Sequence, residues 1–238
     1  MKILHTDRHL IVVDKPATMP VYPLREGEGG TIAELLEQRF PEQASVGPPR
    51  QAGIIHRLDN TTSGILVAAR DNETYKKMRA LWNGPSVTKT YTALVLGKLG
   101  RTRKITTPIA HHPSNKKKMV VCETERRKVE WKGREAKTEV SPKKTFVGDG
   151  GSFFSLVSVR ITTGVRHQIR VHLASIGHPI VGDRLYQNPQ KRKADPINLG
   201  RPFLHLTKVS LPHPLTGRPL TIPSPLAQDL AEVLRSLK

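Results

Sequence analysis

The chain has 238 residues, of which 37% are hydrophobic and 25% are charged, and its formal net charge is +19. This length allows one sizeable domain or two small ones, and no apolar run approaches the roughly 18 residues that a membrane-spanning helix requires. The N-terminal segment contains too many polar residues for a signal peptide. Cys122 is the only cysteine, which excludes an intramolecular disulfide and a cysteine-rich zinc site and indicates a reducing, cytoplasmic location.

The excess of basic residues is the strongest compositional signal. Lys and Arg number 39 against 20 Asp and Glu, which favours a polyanionic partner, with nucleic acid the commonest. The alternative is a solvated basic surface that has no specific partner. Charge alone does not separate RNA from DNA.

The first part of the chain predicts short strands, a helix and a polar loop. Residues 4–21 contain two short apolar segments that are typical of strands. Thr31, followed three residues later by an acid, predicts a helix with a capping box, and Pro41 ends that helix. The polar residues 56–64 lie between two apolar runs, so we expect a loop flanked by strands. A second helix is expected over about residues 71–82.

The rest of the chain mixes the same two kinds of element. The predicted elements are a strand over 90–96, short strands in the basic segment 104–140, a strand over 153–161, a helix over about 165–176, a polar surface loop over 187–200, a strand over 203–211 and a terminal helix that starts at Ser224 and Pro225. Because these elements do not alternate regularly as βαβ units, we expect an α+β fold, with a mainly antiparallel mixed sheet and flanking helices.

The loop 56–64 is the first candidate site. It carries one acid, Asp59, next to His56 and Arg57, between strands that would hold it rigidly. A carboxylate held in this way is a candidate for general acid/base or nucleophilic chemistry. The structural alternative is a turn in which Asp59 bonds its own backbone, and for an isolated motif this alternative is favoured.

Two further candidates lie later in the chain. On a helix over 165–176, Arg166 and Arg170 would be one turn apart and His167 would share a face with Arg170. Such a face is suited to binding a phosphate or to pairing with a buried carboxylate. The alternative is a basic helix face that only contacts solvent. His172 would lie about 140° from His167 around the helix, which argues against a zinc pair. Tyr91 lies within a predicted strand, where a core position is the simple explanation and stacking on a base is the functional one.

Five segments, taken in chain order, resemble the motifs of the RluA-type pseudouridine synthase family. They are Ile11-Val12-Val13-Asp14-Lys15-Pro16, then His56-Arg57-Leu58-Asp59-Asn60-Thr61-Thr62-Ser63-Gly64, then Lys89-Thr90-Tyr91, then Thr163-Gly164-Val165-Arg166-His167-Gln168-Ile169-Arg170-Val171-His172-Leu173 with Gly177-His178-Pro179-Ile180-Val181-Gly182-Asp183, and finally Leu204-His205 with His213-Pro214. The resemblance covers nearly the whole chain. It implies the pseudouridine synthase catalytic fold as a single domain over residues 1–238, without the separate N-terminal S4 RNA-binding domain of many relatives.

The resemblance also implies roles for individual residues. Asp59 would be the catalytic aspartate, Tyr91 would lie against the target base, and Arg170 would pair with the aspartate. The expected substrate-binding residues are His56, Arg57, Arg166 and His167. The sequence departs from the family at Val165, where the family has arginine, so the function of that arginine is in doubt or is shifted to Arg166.

The reaction that the resemblance implies is an isomerisation of uridine in ribosomal RNA or transfer RNA. The bond from C1′ to N1 breaks and a bond from C1′ to C5 forms, so no metal and no redox cofactor is expected. The target base must be flipped out of the RNA at a cost of a few kcal/mol, and Arg57 is a candidate to fill the place it leaves. We expect RNA as the partner, no membrane, no obligate protein partner and a monomer.

Two other functions remain open at this point. A catalytically silent RNA-binding or ribosome-assembly protein on the same fold would bind RNA without isomerising it. A glycosidase or nucleoside hydrolase would usually need two carboxylates. No second acid has a context as suggestive as that of Asp59; Asp183 is a candidate, but its Gly-Asp sequence is better explained as a structural turn.

Overall fold

The computed structural model describes residues 1–23, 25, 27–148, 151–193, 195–197 and 199–237. In chain order its strands are β1 (Lys2–Thr6), β2 (Leu10–Lys15), β3 (Ser63–Ala69), β4 (Thr88–Leu96), β5 (Arg103–Ile105), β6 (Ile109–His111), β7 (Met119–Val121), β8 (Thr138–Val147), β9 (Phe153–Ile161), β10 (Leu204–Pro212) and β11 (Pro219–Pro223). Its helices are α1 (Ile32–Arg39), α2 (Asn72–Trp82), α3 (Glu125–Glu130), α4 (Gln168–Ser175), α5 (Pro189–Lys193) and α6 (Gln228–Ser236), with a 3₁₀ helix at Pro41–Ser45. The described helices and mainly antiparallel strands confirm the expected α+β fold.

The chain forms two compact units. The first consists of Met1–Lys89 and His205–Ala227, and the second of Thr90–Leu204 and Gln228–Lys238. None of the helices in the described part of the chain is long and apolar enough to cross a membrane.

The first unit is built around two neighbouring strands, β2 and β3, that are buried along almost their whole length. β2 pairs antiparallel with both β1 and β3, β3 pairs parallel with β10, and β10 pairs antiparallel with β11. All seven residues of β3 are buried, which explains why this strand reads as a continuous apolar run rather than an alternating one. The apolar side of α1 packs on the same cluster as β2 and β3, and its N-terminus has the predicted capping box of Thr31 and Glu34.

The second unit is dominated by the long antiparallel pair β8 and β9, with β5 beside β8 and β4 beside β9. β6 and β7 form a separate antiparallel pair. α4 packs against β7 and β8. α6 is attached by a bidentate ion pair, in which Arg201 donates to the two carboxylate oxygens of Asp229 at 2.6 and 2.8 Å.

Several predicted boundaries are wrong, for identifiable reasons. The helix expected from residue 165 begins at Gln168, because His167 has φ 54° and ψ 18°, a left-handed conformation that a right-handed helix excludes. The terminal helix begins at Gln228 rather than at Ser224, which directly follows β11 and whose N–H donates to the Thr207 carbonyl of β10 at 2.8 Å. The expected loop 187–200 contains the short helix α5, and its residues 194 and 198 lie outside the described residues. β11 was not predicted.

Gly64 is required where β3 runs beside β10. It has φ +117°, and a Cβ at this position would lie 2.4 Å from the Leu206 carbonyl oxygen. We expect Gly64→Ala to lower the free energy of unfolding by at least about 2 kcal/mol, because the new methyl group meets backbone that cannot move without breaking the sheet. Urea unfolding measures this loss. Gly217→Ala is the matched control, since Gly217 also has a positive φ but has no atom within 4 Å of the place that the new methyl group would take; equal losses in both variants would contradict the steric explanation.

Candidate active site

The loop that carries Asp59 is held in place by a buried lysine. Lys15 is fully buried at the end of β2, and its ammonium donates to the carbonyls of Pro16 and Met19 at 2.8 Å and to that of Asn60 at 3.1 Å. The Asn60 carbonyl also accepts from the Thr18 N–H at 2.6 Å. The residue directly after Asp59 is therefore fixed to a segment 45 positions earlier in the chain.

The backbone of Asp59 itself is part of a turn. Its carbonyl accepts a hydrogen bond from the Thr62 N–H at 2.9 Å, and the residue is half-buried. Immediately after this turn, Ser63 Oγ lies 2.8 Å from His205 Nδ1 on β10. Local turn bonds and contacts to distant strands thus act together on the loop, which gives Asp59 the rigid setting that general acid/base or nucleophilic catalysis requires.

His56 anchors the other end of this loop. Its ring stacks on Trp82 of α2 with centroids 4.2 Å apart and an interplanar angle of 17°, and its Nε2 accepts the Val67 N–H of β3 at 3.3 Å. Lys89 lies against the same indole, 5.3 Å from the ring centroid, and donates to the Trp82 carbonyl at 3.1 Å. Burial, followed by the charges of Lys89 and Arg79, lowers the pKa of His56 to about 3, and burial lowers the pKa of Lys89 to about 8.

The lowered pKa of His56 predicts a pH dependence of stability. Between pH 6.5 and about 3 the unfolded chain binds a proton at His56 that the folded chain does not bind, so acidification through this window destabilises the fold. We expect His56→Gln to have a lower free energy of unfolding than the wild type at pH 7. Between pH 6.5 and 5 the free energy of unfolding should fall less steeply in the variant than in the wild type, and the two slopes should differ by up to about 1.4 kcal/mol per pH unit. Urea titrations at both pH values measure the slope. His111→Gln, at an exposed position, should keep the wild-type slope; an unchanged slope in His56→Gln would contradict the prediction.

Arg57 and Tyr91 differ in exposure. Arg57 is exposed in the first unit, with its guanidinium 5.8 Å from the ring centroid of Tyr22. Tyr91 lies in the second unit, on β4, and is 8% exposed. The position of Tyr91 is compatible with the core explanation and with a ring that presents one edge to a ligand.

Arg170 lies on α4 and is 7% exposed. Its Nε and Nη2 donate to the two carboxylate oxygens of Asp183 at 2.7 and 2.8 Å, and its guanidinium carbon lies 5.2 Å from the ring centroid of Tyr186. Such a bidentate contact fixes both the position and the plane of the guanidinium. Asp183 therefore has a structural role, as its Gly-Asp sequence suggested.

The prediction that Arg166, His167 and Arg170 share a helix face is wrong. Arg166 precedes α4 and is exposed, with one weak contact of 3.4 Å to the Lys116 carbonyl. His167 is the left-handed residue at the N-terminus of α4, and its Nδ1 lies 2.8 Å from the Tyr186 hydroxyl. A left-handed residue interrupts the regular turn of the backbone, so the three- and four-residue spacing of a helix face does not relate residues before it to residues after it.

Val165 has a clear reason to be apolar. It is 8% exposed and belongs to a cluster that also contains Ile109, Met119 and Val121 from β6 and β7. An arginine side chain in this cluster would bury a charge among aliphatic groups.

On α4, His172 is bonded through both ring nitrogens, to Thr138 Oγ1 at 2.8 Å and to the Thr107 carbonyl at 2.9 Å.

Each unit thus collects part of the predicted site. The first brings His56, Arg57 and Asp59 onto one loop, and the second holds Tyr91 on β4 and Arg170 on α4. The pairing of Asp59 with Arg170 stays a prediction. Within the part of the chain that the structure describes, no group of three or more His, Cys, Asp or Glu residues is arranged to hold a metal ion.

The sequence interpretation missed the residues that support the site. They are Lys15, Trp82, Lys89 and Tyr186. Lys15 and Lys89 each lie at the end of an apolar strand, where a lysine can become buried. A buried lysine must have several hydrogen-bond acceptors around it, so such a position could have indicated a residue that holds neighbouring loops. Nothing in the spacing of Trp82 or Tyr186 indicates that these rings contact His56 and Arg170.

Comparison with known proteins places the chain in a family. A family model described as RNA pseudouridylate synthase matches residues 9–175. "Ribosomal large subunit pseudouridine synthase D" of Nitrosomonas europaea is 36% identical over all of this chain, which covers 65% of that protein. An uncharacterised RNA pseudouridine synthase of Chloroflexus aurantiacus is 38% identical over 94% of this chain and 66% of that protein. The chain therefore spans just under two thirds of the length of these two relatives.

The fold has a close counterpart among solved structures. The structure of human RNA pseudouridylate synthase domain containing 1 superimposes with a TM-score of 0.73 and 22% identity, and covers 99% of this chain and 93% of that one. The matched fold agrees with the α+β architecture described above. Because the family model covers both the Asp59 loop and Arg170 of α4, the chain belongs to the RNA pseudouridylate synthase family.

Proposed function

We propose that this protein isomerises uridine to pseudouridine in RNA, with Asp59 as the essential carboxylate. The observation that carries this function is the fixed Asp59 loop, which lies within the family match and is held by Lys15 and His56. The name of the Nitrosomonas europaea relative supports ribosomal RNA of the large subunit as the first substrate to test, with transfer RNA as the second.

The reaction needs a group that is anionic at neutral pH and close to the sugar or the pyrimidine. The C1′–N1 bond breaks, the base turns, the C1′–C5 bond forms, C5 loses its proton and N1 takes one up, so the product is an isomer of uridine and neither water nor an oxidant is consumed. Asp59 is the proposed anion. Arg170, whose plane is fixed by Asp183, is proposed to keep Asp59 ionised, because a nearby guanidinium favours the charged form of a carboxylate.

Three of the other predicted site residues, Tyr91, Arg57 and Arg166, are proposed to act on the RNA. Tyr91 would stack on the flipped uracil, a contact worth about 1–3 kcal/mol. Arg57 and Arg166 are exposed and suit phosphate or base contacts, whereas the contacts of His56 and His167 suit holding the loop and the start of α4. We further propose that residues 1–238 act as one catalytic domain, as a cytoplasmic monomer that uses no cofactor.

Tritium release tests this function directly. Large-subunit ribosomal RNA and transfer RNA transcripts labelled with tritium at uridine C5 are incubated with the wild-type chain, and pseudouridine is identified by mass spectrometry after chemical derivatisation. Release of tritium together with pseudouridine in one transcript is the expected result. RNA binding without release from either transcript would favour the catalytically silent RNA-binding protein instead.

A further inference from the structure

We propose that a small pocket beside the Asp59 loop binds a second nucleobase of the RNA, one that flanks the target uridine. This inference rests on the proposed function, because it takes the substrate to be RNA and Asp59 to be at the reacting nucleotide. The pocket lies within the first unit, and its lining consists of Pro20, Val21, Tyr22, Glu28, Arg57, Leu58 and Asn60.

The size of the pocket suits a single ring. Its volume is about 180 Å³, whereas a cavity of roughly 150 Å³ is known to admit benzene and drug-sized ligands occupy roughly 300–1,000 Å³. The occupant is therefore about as large as one nucleobase. The buried side chains of Val21 and Leu58 supply apolar surface, which favours a flat ring over a phosphate.

The polar groups around the pocket also suit a base. The Tyr22 ring offers a stacking surface, and the Arg57 guanidinium, 5.8 Å from its centroid, adds a cation beside it; aromatic and arginine side chains of this kind bind the bases of single-stranded nucleic acid. The Asn60 side chain is exposed, and an amide can both donate to and accept from a base edge. The Glu28 carboxylate would repel a phosphate but would accept a hydrogen bond from an amino group.

The place of the pocket in the chain explains why its base would flank the target. Leu58 and Asn60 are the residues on either side of Asp59, and both line the pocket. The Asn60 backbone is fixed by Lys15 and Thr18, so a base that binds here would set the position of the RNA relative to Asp59. The pocket would then contribute to the choice of uridine, since only a sequence with a suitable neighbour fills it.

Substitution of Tyr22 tests the pocket. Loss of one base-stacking contact corresponds to a roughly 5- to 150-fold weaker interaction, so Tyr22→Leu should raise KM for tritium release by this factor and leave kcat within about twofold. Tyr22→Phe keeps the stacking ring and should restore the wild-type KM. If Tyr22→Leu has the wild-type KM, or if Tyr22→Phe is as defective as Tyr22→Leu, the inference is overturned.

A binding measurement separates this inference from the proposed function. Asp59→Asn, which does not turn over its substrate if the proposed function is correct, is titrated with the large-subunit and transfer RNA transcripts, with and without Tyr22→Leu. Weaker binding in the double variant supports the pocket even if the wild-type chain releases no tritium. Unchanged binding of both transcripts, alongside tritium release by the wild type, overturns the pocket and leaves the proposed function standing.

Abasic substitution then identifies the base. Once the modified uridine is mapped, oligonucleotides are prepared in which each neighbouring base is removed in turn, and each is assayed with the wild type and with Tyr22→Leu. At one flanking position, the loss of activity caused by the abasic site and the loss caused by Tyr22→Leu should not add, because both changes remove the same contact. Losses that add at every position would overturn the inference. An unfolding midpoint for Tyr22→Leu close to that of wild type excludes a general loss of structure.

Discussion

Asp59→Asn is expected to lower pseudouridine formation by at least about three orders of magnitude, as is typical when a group that acts directly on the reacting atoms is removed. Asparagine keeps the size and shape of the side chain but has no negative charge, so it neither attacks carbon nor accepts a proton at neutral pH. The backbone contacts of the loop, from Lys15 to Asn60 and from Thr62 to Asp59, do not involve the Asp59 carboxylate. The fold should therefore survive the change.

The measurement is the initial rate of tritium release, with circular dichroism and RNA affinity measured in parallel. Glu73→Gln, an exposed acid on α2, is the control for the loss of one negative charge from a strongly basic chain. It should keep the wild-type rate within about twofold. Activity of Asp59→Asn within tenfold of wild type, on RNA that the wild type modifies, would disprove the role proposed for this aspartate.

Asp183→Asn is expected to destabilise the protein by about 3–5 kcal/mol, the usual cost of breaking a buried ion pair by removing one charge. The Asp183 side chain is 1% exposed and that of Arg170 is 8% exposed, so water cannot replace the lost carboxylate. An asparagine can accept only one of the two hydrogen bonds that the carboxylate accepts from Arg170. The same change should lower the rate of tritium release, because the guanidinium loses the contact that fixes its plane.

Arg201 and Asp229 offer a matched control for this prediction. They make the same bidentate contact, but the Asp229 side chain is 47% exposed, so Asp229→Asn should cost much less than Asp183→Asn. Replacing both Arg170 and Asp183 by Met and Leu should recover part of the stability without recovering activity. If Asp183→Asn and Asp229→Asn have equal effects on the urea midpoint, burial does not set the cost.

Local elements were predicted well wherever local chemistry determines them. Thr31 and Glu34 specify the start of α1 through a capping box, and Asp71 caps α2 through the Thr74 N–H at 2.7 Å. The prediction that Arg166, His167 and Arg170 share a face of α4 was wrong because no local chemistry determines where this helix starts. Nothing local marks His167 as a left-handed residue, and its ring contacts Tyr186, which lies 19 positions later in the chain.

The loop that carries the candidate site could be located from the sequence, but the groups that hold this loop in place could not. The motif around Asp59 identifies the loop, and the family match over residues 9–175 agrees with it. The groups that hold the loop are Lys15, which donates to the Asn60 carbonyl, and Trp82, which stacks on His56; both contacts depend on how β2 and α2 pack. Hydrogen bonds between residues so far apart in sequence leave no periodic pattern, so composition and spacing do not reveal them.

The sequence by itself determined the α+β class and the basic charge, and its five motifs in family order indicated Asp59 as the residue to test, because the order of elements, the net charge and short motifs are all local or additive properties. Only the tertiary structure decided which groups surround that loop. It replaced the expected basic helix face by an Arg170–Asp183 pair, a left-handed His167 and an exposed Arg166. The physical reason is that the partners of a buried charge are the groups that lie next to it in space. Which groups lie there depends on the packing of elements that are far apart in the sequence.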